Sequence, residues 1–144
     1  MSHIRYTDSL TGITPEHLQG LHVGWPNPPT PATHLKSLSN MNARTFAIDE
    51  NTGQVIGFVC GMTDSTLILY IWDIEVLPDY QGQGIEDQLL ARLLEGYTDI
   101  YQINVVTLPE RAQLFMAAGF ATHLQCVGMT RMHMSMQDGG TRKA

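Results

Sequence analysis

The sequence predicts a single mixed α/β domain in which one sheet is flanked by helices. A chain of 144 residues has the size of one domain and can bury roughly two-thirds of its unfolded surface. Runs with strand character alternate with runs of helical periodicity. Two glycines, Gly82 and Gly84, stand between the most strand-like run and an amphipathic helix. The composition, 43% hydrophobic and 15% charged, excludes disordered and fibrous classes.

The first half of the chain contains three predicted strands and two predicted helix starts. Short strands are expected at residues 3–8 and 44–49, and a longer strand at 54–62. Helix starts lie at Thr14 and at Thr30, because each threonine is followed by a proline at the first helical position. The first half therefore predicts the order strand, helix, helix, strand, strand.

Residues 66–77, TLILYIWDIEVL, form the strongest strand candidate. Their β-branched and aromatic content is typical of strands. Near-continuous apolar character predicts a central strand that is covered on both faces. Twelve residues exceed the usual strand length, so a β-bulge is expected within the run.

The second half predicts further elements in alternation. A helix is expected over about 84–95, where leucines recur at helical spacing, and a strand over 101–107. A second helix is expected over 110–118, since a proline precedes it and a glycine follows it. A final strand is expected over 128–136, where methionines alternate with polar residues.

No linker or internal repeat interrupts the chain, so one domain is expected over residues 1–136, with a disordered tail over 137–144. No apolar run approaches the ~18 residues of a membrane span, and the first residues lack the features of a signal peptide. Cys60 and Cys126 are too few for a disulfide framework. These features predict a soluble cytoplasmic protein with no membrane partner.

The distribution of charge argues for cationic rather than anionic partners. The net charge is -6, from 8 Lys and Arg against 14 Asp and Glu. Because no basic cluster occurs, a nucleic-acid partner is not expected. No Lys or Arg lies between Arg44 and Arg92, whereas acidic residues are frequent there. This acidic stretch would attract positively charged small molecules.

The turn around Gly82 and Gly84 has the features of an anion-binding site. Glycines between a buried strand and a helix let backbone N–H groups stand open at the helix N-terminus. A Rossmann fingerprint would require a third glycine at Asp87, and a Walker loop would require Gly-Lys-Ser/Thr after the turn. Neither is present, so common nucleotide-binding motifs are excluded. A glycine turn that binds nothing is the alternative.

The segment from Ile74 to Leu90, IEVLPDYQGQGIEDQLL, resembles motif A of the GNAT superfamily of acyl-CoA-dependent N-acyltransferases. The matching positions are Val76, Pro78, Gln81, Gly82 and Gly84. The likeness continues in ERAQLFMAAGF, residues 110–120, which is similar to the family's helix that ends in Tyr-x-x-x-Gly-Phe. The resemblance implies a mixed, mostly antiparallel twisted sheet, split between the fourth and fifth strands, with the cofactor in the split.

The resemblance also implies acetyl-CoA as co-substrate and a set of binding residues. Backbone groups of three strand residues would pair with the pantetheine arm in the manner of an added strand. Amides of the following turn would hold the pyrophosphate at the helix N-terminus. The implied cofactor-binding residues are Ile74, Glu75, Val76, Gln81, Gly82, Gln83, Gly84, Ile85 and Glu86. The implied reaction is acetyl transfer to a primary amine, and the acidic stretch of the chain favours a small, cationic substrate.

Three positions depart from the family's pattern. Gln83 stands where Lys or Arg is frequent, and Glu86 stands where the family has Gly or Ala. The Glu86 carboxylate would repel the diphosphate, although acids in a first helical turn also complement the helix dipole. Phe115 takes the position of the family's tyrosine, which is the usual general acid, and is expected near the thioester sulfur. These departures keep a second interpretation open, a GNAT-like binding or regulatory module without efficient catalysis.

Glu75 is favoured as the general base, with Asp73 as the other candidate on the same strand face. The alternative for Glu75 is a structural carboxylate that accepts hydrogen bonds from backbone donors. The six histidines show no metal-binding spacing, so no metal site is expected. The apolar C-terminal strand leaves a homodimer open.

Overall fold

The computed structural model describes residues 3–122 and 125–131. One sheet has the strand order β1-β2-β3-β4-β5. Its strands are β1 (Ile4–Thr7), β2 (Ala43–Asp49), β3 (Val55–Thr63), β4 (Ile68–Val76) and β5 (Gln102–Val105). The helices are α1 (Pro31–Asn40), α2 (Ile85–Glu95) and α3 (Ala112–Ala117). The predicted mixed, mostly antiparallel sheet is confirmed, since only the β4–β5 pair is parallel.

The sheet splits between β4 and β5, as predicted. The two strands pair only from Ile68 opposite Gln102 to Ile71 opposite Val105. Beyond Ile71, β4 stays paired with β3 as far as Val76 opposite Gly57. The register of β3 and β4 shifts between Cys60 and Gly61, so Trp72 is the extra residue of the predicted bulge. Among the described residues, residues 73–76 therefore have a ladder partner on the β3 side alone.

Helix α2 packs against one face of the sheet and fixes the position of the turn before it. Its Ile85, Leu89, Leu90 and Leu93 are buried, as their helical spacing predicts. They pack in one core with Ile74 and Val76 of β4. A second core lies on the other face, where Phe46, Phe58 and Cys60 pack with Leu38 of α1. Both faces of the sheet are thus covered over β2 and β3.

Two sequence predictions need correction. β4 is not covered on both faces, because Ile68 is 50% exposed and Trp72 is 51% exposed. The helix expected after Thr14 is a single 3-10 turn, Pro15–Leu18, because Gly20 soon follows with a φ of 83°. The predicted strand over 128–136 lies mostly outside the described residues, and residues 128–131 adopt no regular secondary structure. The predicted tail over 137–144 lies outside them entirely.

Candidate active site at the sheet split

The glycine turn, residues 81–86, joins the end of β4 to α2 through two left-handed glycines. Gly82 has a φ of 76° and Gly84 a φ of 77°, values that residues with a Cβ rarely adopt. A Cβ placed on either glycine would meet no atom within 4 Å, so the turn is open to solvent. Gly84 caps α2 without a side-chain hydrogen bond. The first amides of α2 are therefore free to face an anion.

Two glutamines brace this turn against the segment that precedes it. Gln81 donates from Nε2 to the Val76 carbonyl at 3.1 Å. Gln83 donates from Nε2 to the Asp79 carbonyl at 3.4 Å. Both side chains are thus directed back along the chain, which leaves the outer side of the turn to backbone groups.

Glu86 lies in the first turn of α2 and is paired with a cation that the sequence did not indicate. Arg111 donates from a guanidinium nitrogen to Glu86 Oε1 at 2.7 Å, and each side chain is 33% exposed. Arg111 stands at the start of α3, 25 residues further along the chain. The carboxylate that would repel a diphosphate is therefore compensated within the fold.

On the other face of β4 lies an acid–histidine cluster formed by His22, His34, Asp73 and Glu75. Glu75 binds the loop before α1, because Oε2 accepts from the His22 backbone N–H at 2.8 Å and Oε1 from the Val23 backbone N–H at 3.1 Å. This is the backbone-donor arrangement that the sequence left open as the alternative for Glu75. The same bonds position the loop over the sheet.

Asp73 differs from Glu75 in having a carboxylate oxygen without a hydrogen-bond partner among the described residues. Its side chain is 20% exposed, and Oδ2 is buried without a hydrogen-bond partner among the described residues. Oδ2 lies 3.8 Å from His22 Nε2. Burial and the neighbouring Glu75 charge raise the pKa of Asp73 to about 6, against the opposing effects of the Ile74 backbone N–H and the Arg111 charge. Such a carboxylate is suited to accept a proton near neutral pH.

The two histidines are buried, and burial favours the neutral form of each ring. His22 and His34 are 7% and 5% exposed, and their rings meet edge to face at 4.3 Å between centroids. Burial lowers the pKa of His22, and burial together with the His22 charge lowers the pKa of His34 to about 4. His22 has a φ of 63°, a strained conformation for a residue with a side chain.

These histidines were missed by the sequence analysis because no motif contains them. The only local signal was the glycine-rich, proline-rich loop between the two helix starts. His22 lies more than 50 residues before the carboxylate it faces, so only the folded sheet brings them together.

His22, Asp73 and Glu75 also form a group of described residues whose atoms could hold a metal ion, since their ligand atoms lie within 4.8 Å of one another. Adjacent ligands on a tetrahedral zinc are roughly 3.3 Å apart, shorter than the 3.8 Å between His22 Nε2 and Asp73 Oδ2. Both Glu75 oxygens already accept backbone hydrogen bonds. The arrangement is not a preformed metal site, and the absence of a metal stays a prediction.

Phe115 lies in the core rather than on an open surface. It is 3% exposed and packs edge to face against Phe120 at 5.6 Å between centroids. Its neighbours belong to the core that α2 forms with β4. A position beside the thioester sulfur therefore stays a prediction from the family resemblance.

A cavity of about 250 Å³ lies at the opposite end of α2, and its lining includes Asp8, Arg44 and Arg92. Its arginines are already engaged. Arg44 donates to the carbonyls of Asp8, Leu38 and Met41, and Arg92 stands 4.6 Å over the Tyr6 ring. This cavity is separate from the glycine turn and from the cluster.

The sequence model of the Acetyltransferase (GNAT) family matches residues 10–120. The chain belongs to the GNAT family. The match covers β2 to β5, the glycine turn and all three helices. The split between β4 and β5 and the glycine turn both lie within the matched residues.

Similar proteins agree with the family. An uncharacterized N-acetyltransferase, ycf52, of Gracilaria tenuistipitata var. liui is 27% identical over 103 residues, 69% of this chain and 57% of that protein. A solved structure of a suspected acetyltransferase from Deinococcus radiodurans is 26% identical, with a TM-score of 0.83 over 99% of this chain and 100% of that chain. The chain thus spans just over half the length of the curated relative.

A second solved structure adds a fold likeness. Diaminobutyrate acetyltransferase EctA from Paenibacillus lautus, in complex with L-2,4-diaminobutyric acid and coenzyme A, is 17% identical, with a TM-score of 0.62 over 82% of this chain and 75% of that chain. This GNAT chain also contains no helix, among its described residues, that is long and apolar enough to cross a membrane.

Proposed function

We propose that the protein transfers an acetyl group from acetyl-CoA to the primary amine of a small cationic substrate. The observation that carries the proposal is that one strand segment, 73–76, is followed by an open glycine turn and also bears a desolvated carboxylate. The diphosphate of the donor and the amine of the acceptor could therefore bind near each other, at positions only a few residues apart along the chain.

The donor would occupy the unpaired edge of β4. Backbone groups of Ile74, Glu75 and Val76 would pair with the pantetheine arm, and the amides of the glycine turn would bind the diphosphate. The Val76 carbonyl already accepts from Gln81, so that bond must open or be shared. When bound, acetyl-CoA supplies an acyl group activated as a thioester.

Asp73 is the residue that we assign to accept the proton of the amine. Its pKa of about 6 leaves it mostly ionised at neutral pH, and its buried oxygen lacks a partner. As the amine nitrogen bonds to the acyl carbon and the carbon–sulfur bond breaks, Asp73 takes the N–H proton. This assignment moves the base from Glu75, which the sequence favoured, because both Glu75 oxygens hold the loop.

A general acid is not essential in this scheme. A thiol with a pKa of about 8.5 leaves readily as the thiolate, which then takes a proton from solvent. Burial of Phe115 is compatible with such a reaction.

The cationic character of the acceptor rests on charge and on aromatic walls. Asp73 and Glu75 lie two residues apart, and burial disfavours a positive charge on the histidines beside them. Trp25 packs edge to face on His22 at 4.8 Å and is 42% exposed. Carboxylates with an exposed aromatic face favour ammonium groups. The EctA structure, which is similar in fold, contains its substrate L-2,4-diaminobutyric acid, an amine of this class. The cytoplasmic location and the homodimer stay predictions.

The test is a thiol-release assay with acetyl-CoA and a panel of amines, run beside calorimetric titration of acetyl-CoA. The proposal predicts turnover with amines that carry a second positive charge, at a higher kcat/KM than with neutral amines of equal size. Binding of acetyl-CoA without thiol release from any amine would support the regulatory module instead. Absence of both binding and turnover would contradict both interpretations.

A further inference from the structure

The glycine turn contains no cation of its own, although its proposed ligand carries a diphosphate. Residues 81–86 read Gln-Gly-Gln-Gly-Ile-Glu, and the single charged residue is negative. The cation that contacts this turn comes from another element. Arg111, at the start of α3, reaches Glu86 at 2.7 Å.

The positive charge of Arg111 also influences Asp73, at the other end of the split. Its charge lowers the pKa of Asp73, against the larger effect of burial. The guanidinium therefore stands within electrostatic range of both the glycine turn and the carboxylate that we assign to the chemistry. At 33% exposure, it remains open to solvent and to a ligand.

We propose that Arg111 supplies the positive charge that binds the diphosphate of acetyl-CoA. Glu86 holds the Arg111 guanidinium at the glycine turn, and the guanidinium contacts both Glu86 and the diphosphate when acetyl-CoA binds. The proposal rests on the proposed function and adds to it a residue outside the turn. Glu86 then has a positioning role, because it keeps the guanidinium at the turn before the donor arrives.

The energetics favour such sharing. A partly exposed carboxylate–guanidinium pair contributes little in water, less than about tenfold in an equilibrium constant. Arg binds phosphate through a planar set of five donors, often in bidentate geometry. Because the guanidinium has several N–H groups and the recorded bond to Glu86 uses one nitrogen, other donors remain for a phosphate oxygen.

The decisive experiment is a double-mutant cycle on Arg111→Met and Glu86→Gln, read by calorimetric titration with acetyl-CoA. Arg111→Met should weaken binding about tenfold to a hundredfold, the range of a charged hydrogen bond. Glu86→Gln alone should change affinity less than about threefold, because the carboxylate is already compensated. In the Arg111→Met variant the Glu86 carboxylate is unpaired and faces the diphosphate. Adding Glu86→Gln to that variant removes the repulsion and should therefore raise the affinity for acetyl-CoA about tenfold.

Shortened analogues of acetyl-CoA show which part of the donor Arg111 recognises. Dephospho-CoA keeps the diphosphate but lacks the 3′-phosphate, whereas S-acetylpantetheine lacks both. Arg111→Met should weaken dephospho-CoA as much as CoA and leave S-acetylpantetheine unchanged. Equal weakening of all three would place Arg111 in the fold rather than at the diphosphate, and would overturn the proposal.

Arg92→Met is the matched control, since it also removes one positive charge, but from the last turn of α2, away from the glycine turn. If the Arg111→Met variant binds acetyl-CoA as tightly as the Arg92→Met variant, the proposal is overturned. Melting curves on each variant, with Arg111→Lys as a charge-keeping second variant, separate misfolding from lost recognition. A wild-type protein that fails to bind acetyl-CoA would instead refute the proposed function, so the two failures are distinct.

Discussion

The glycine turn and the acid–histidine cluster lie at the same unpaired strand segment, yet they are built in opposite ways. The turn is continuous in sequence and offers backbone N–H groups, which Gly82 and Gly84 leave uncovered. The cluster is assembled from residues about 40 to 50 positions apart and offers side chains. In the proposed function, recognition of the donor would therefore depend on local geometry, and proton transfer would depend on long-range folding.

Because the glycine turn and the cluster are built from different residues, we expect that separate substitutions can abolish donor binding and turnover. A change in the cluster should affect turnover while donor binding persists. A change in the turn should affect donor binding first.

Asp73→Asn should have the largest effect, because it removes the proposed proton acceptor with almost no change of shape. We expect kcat to fall about a hundredfold to ten-thousandfold, the range of general base catalysis, with the dissociation constant of acetyl-CoA unchanged. Steady-state thiol release and calorimetric titration measure the two quantities. Glu75→Gln is the matched variant and should act on the acceptor KM through the loop. The reverse pattern, with kcat lost only in Glu75→Gln, would return the role of base to Glu75.

His34→Leu tests the cluster through the dependence of stability on pH. Folding lowers the pKa of His34 from 6.5 to about 4. The stability from the neutral ring is therefore present above pH 6.5 and is lost as pH falls towards 4. Between pH 7 and 5 the wild type should lose about 2 kcal/mol of unfolding free energy from this group. Asp73, with its raised pKa, acts in the opposite direction in both proteins.

Urea unfolding at both pH values gives the comparison. The difference in stability between the His34→Leu variant and the wild type should shift by about 2 kcal/mol in favour of the variant at the lower pH. A difference that stays constant with pH would mean that His34 titrates in the folded protein as freely as in the unfolded chain.

Phe115→Tyr tests whether the position that matches the family's tyrosine serves chemistry here. Because Phe115 is 3% exposed, a hydroxyl without a partner should cost about 1 to 3 kcal/mol of stability, with no gain in thiol release. A melting curve and steady-state rates on the same preparation provide the measurement. A rise in turnover of about tenfold or more would instead place the ring near the sulfur, as the resemblance implies.

Gly84→Ala should have the smallest effect on stability, about 1 kcal/mol. Space is available for the methyl group, so the cost arises from the φ of 77° alone. Donor affinity should also weaken, because relief of that strain would redirect the turn amides. Gly96→Ala, at the end of the same helix with a φ of -77°, is the control and should leave affinity unchanged. Equal affinities in the two variants would show that the turn does not need its left-handed glycine.

The sequence predicted the donor end of the site better than the acceptor end. Gly82, Gly84 and the buried face of α2 follow from local spacing, since a turn and a helix depend on neighbours a few residues away. The split and the bulge in β4 also agree with prediction. These features are local, or they follow from the family resemblance.

The histidines of the cluster and the Arg111–Glu86 pair escaped prediction for a physical reason. His22 and His34 carry no recognisable spacing, and Arg111 gave no sign that it would meet Glu86. The position of His22 beside Asp73 depends on the loop that Glu75 binds, and Arg111 meets Glu86 from another element, 25 residues along the chain. Long-range contacts of this kind leave no periodic trace in a single sequence. Two neighbouring carboxylates could be identified, but which one is satisfied by the backbone required the fold.

Hydrogen–deuterium exchange with and without acetyl-CoA tests the central claim most directly, because it reports where the donor binds. We expect slower exchange in peptides that cover residues 72–77 and 81–86 when acetyl-CoA is present, with β1 and β2 unchanged. Asp73→Asn should give the same protection as the wild type while it fails to release thiol. Protection confined to the cavity lined by Arg44 and Arg92, or binding with no protection at the glycine turn, would contradict the account.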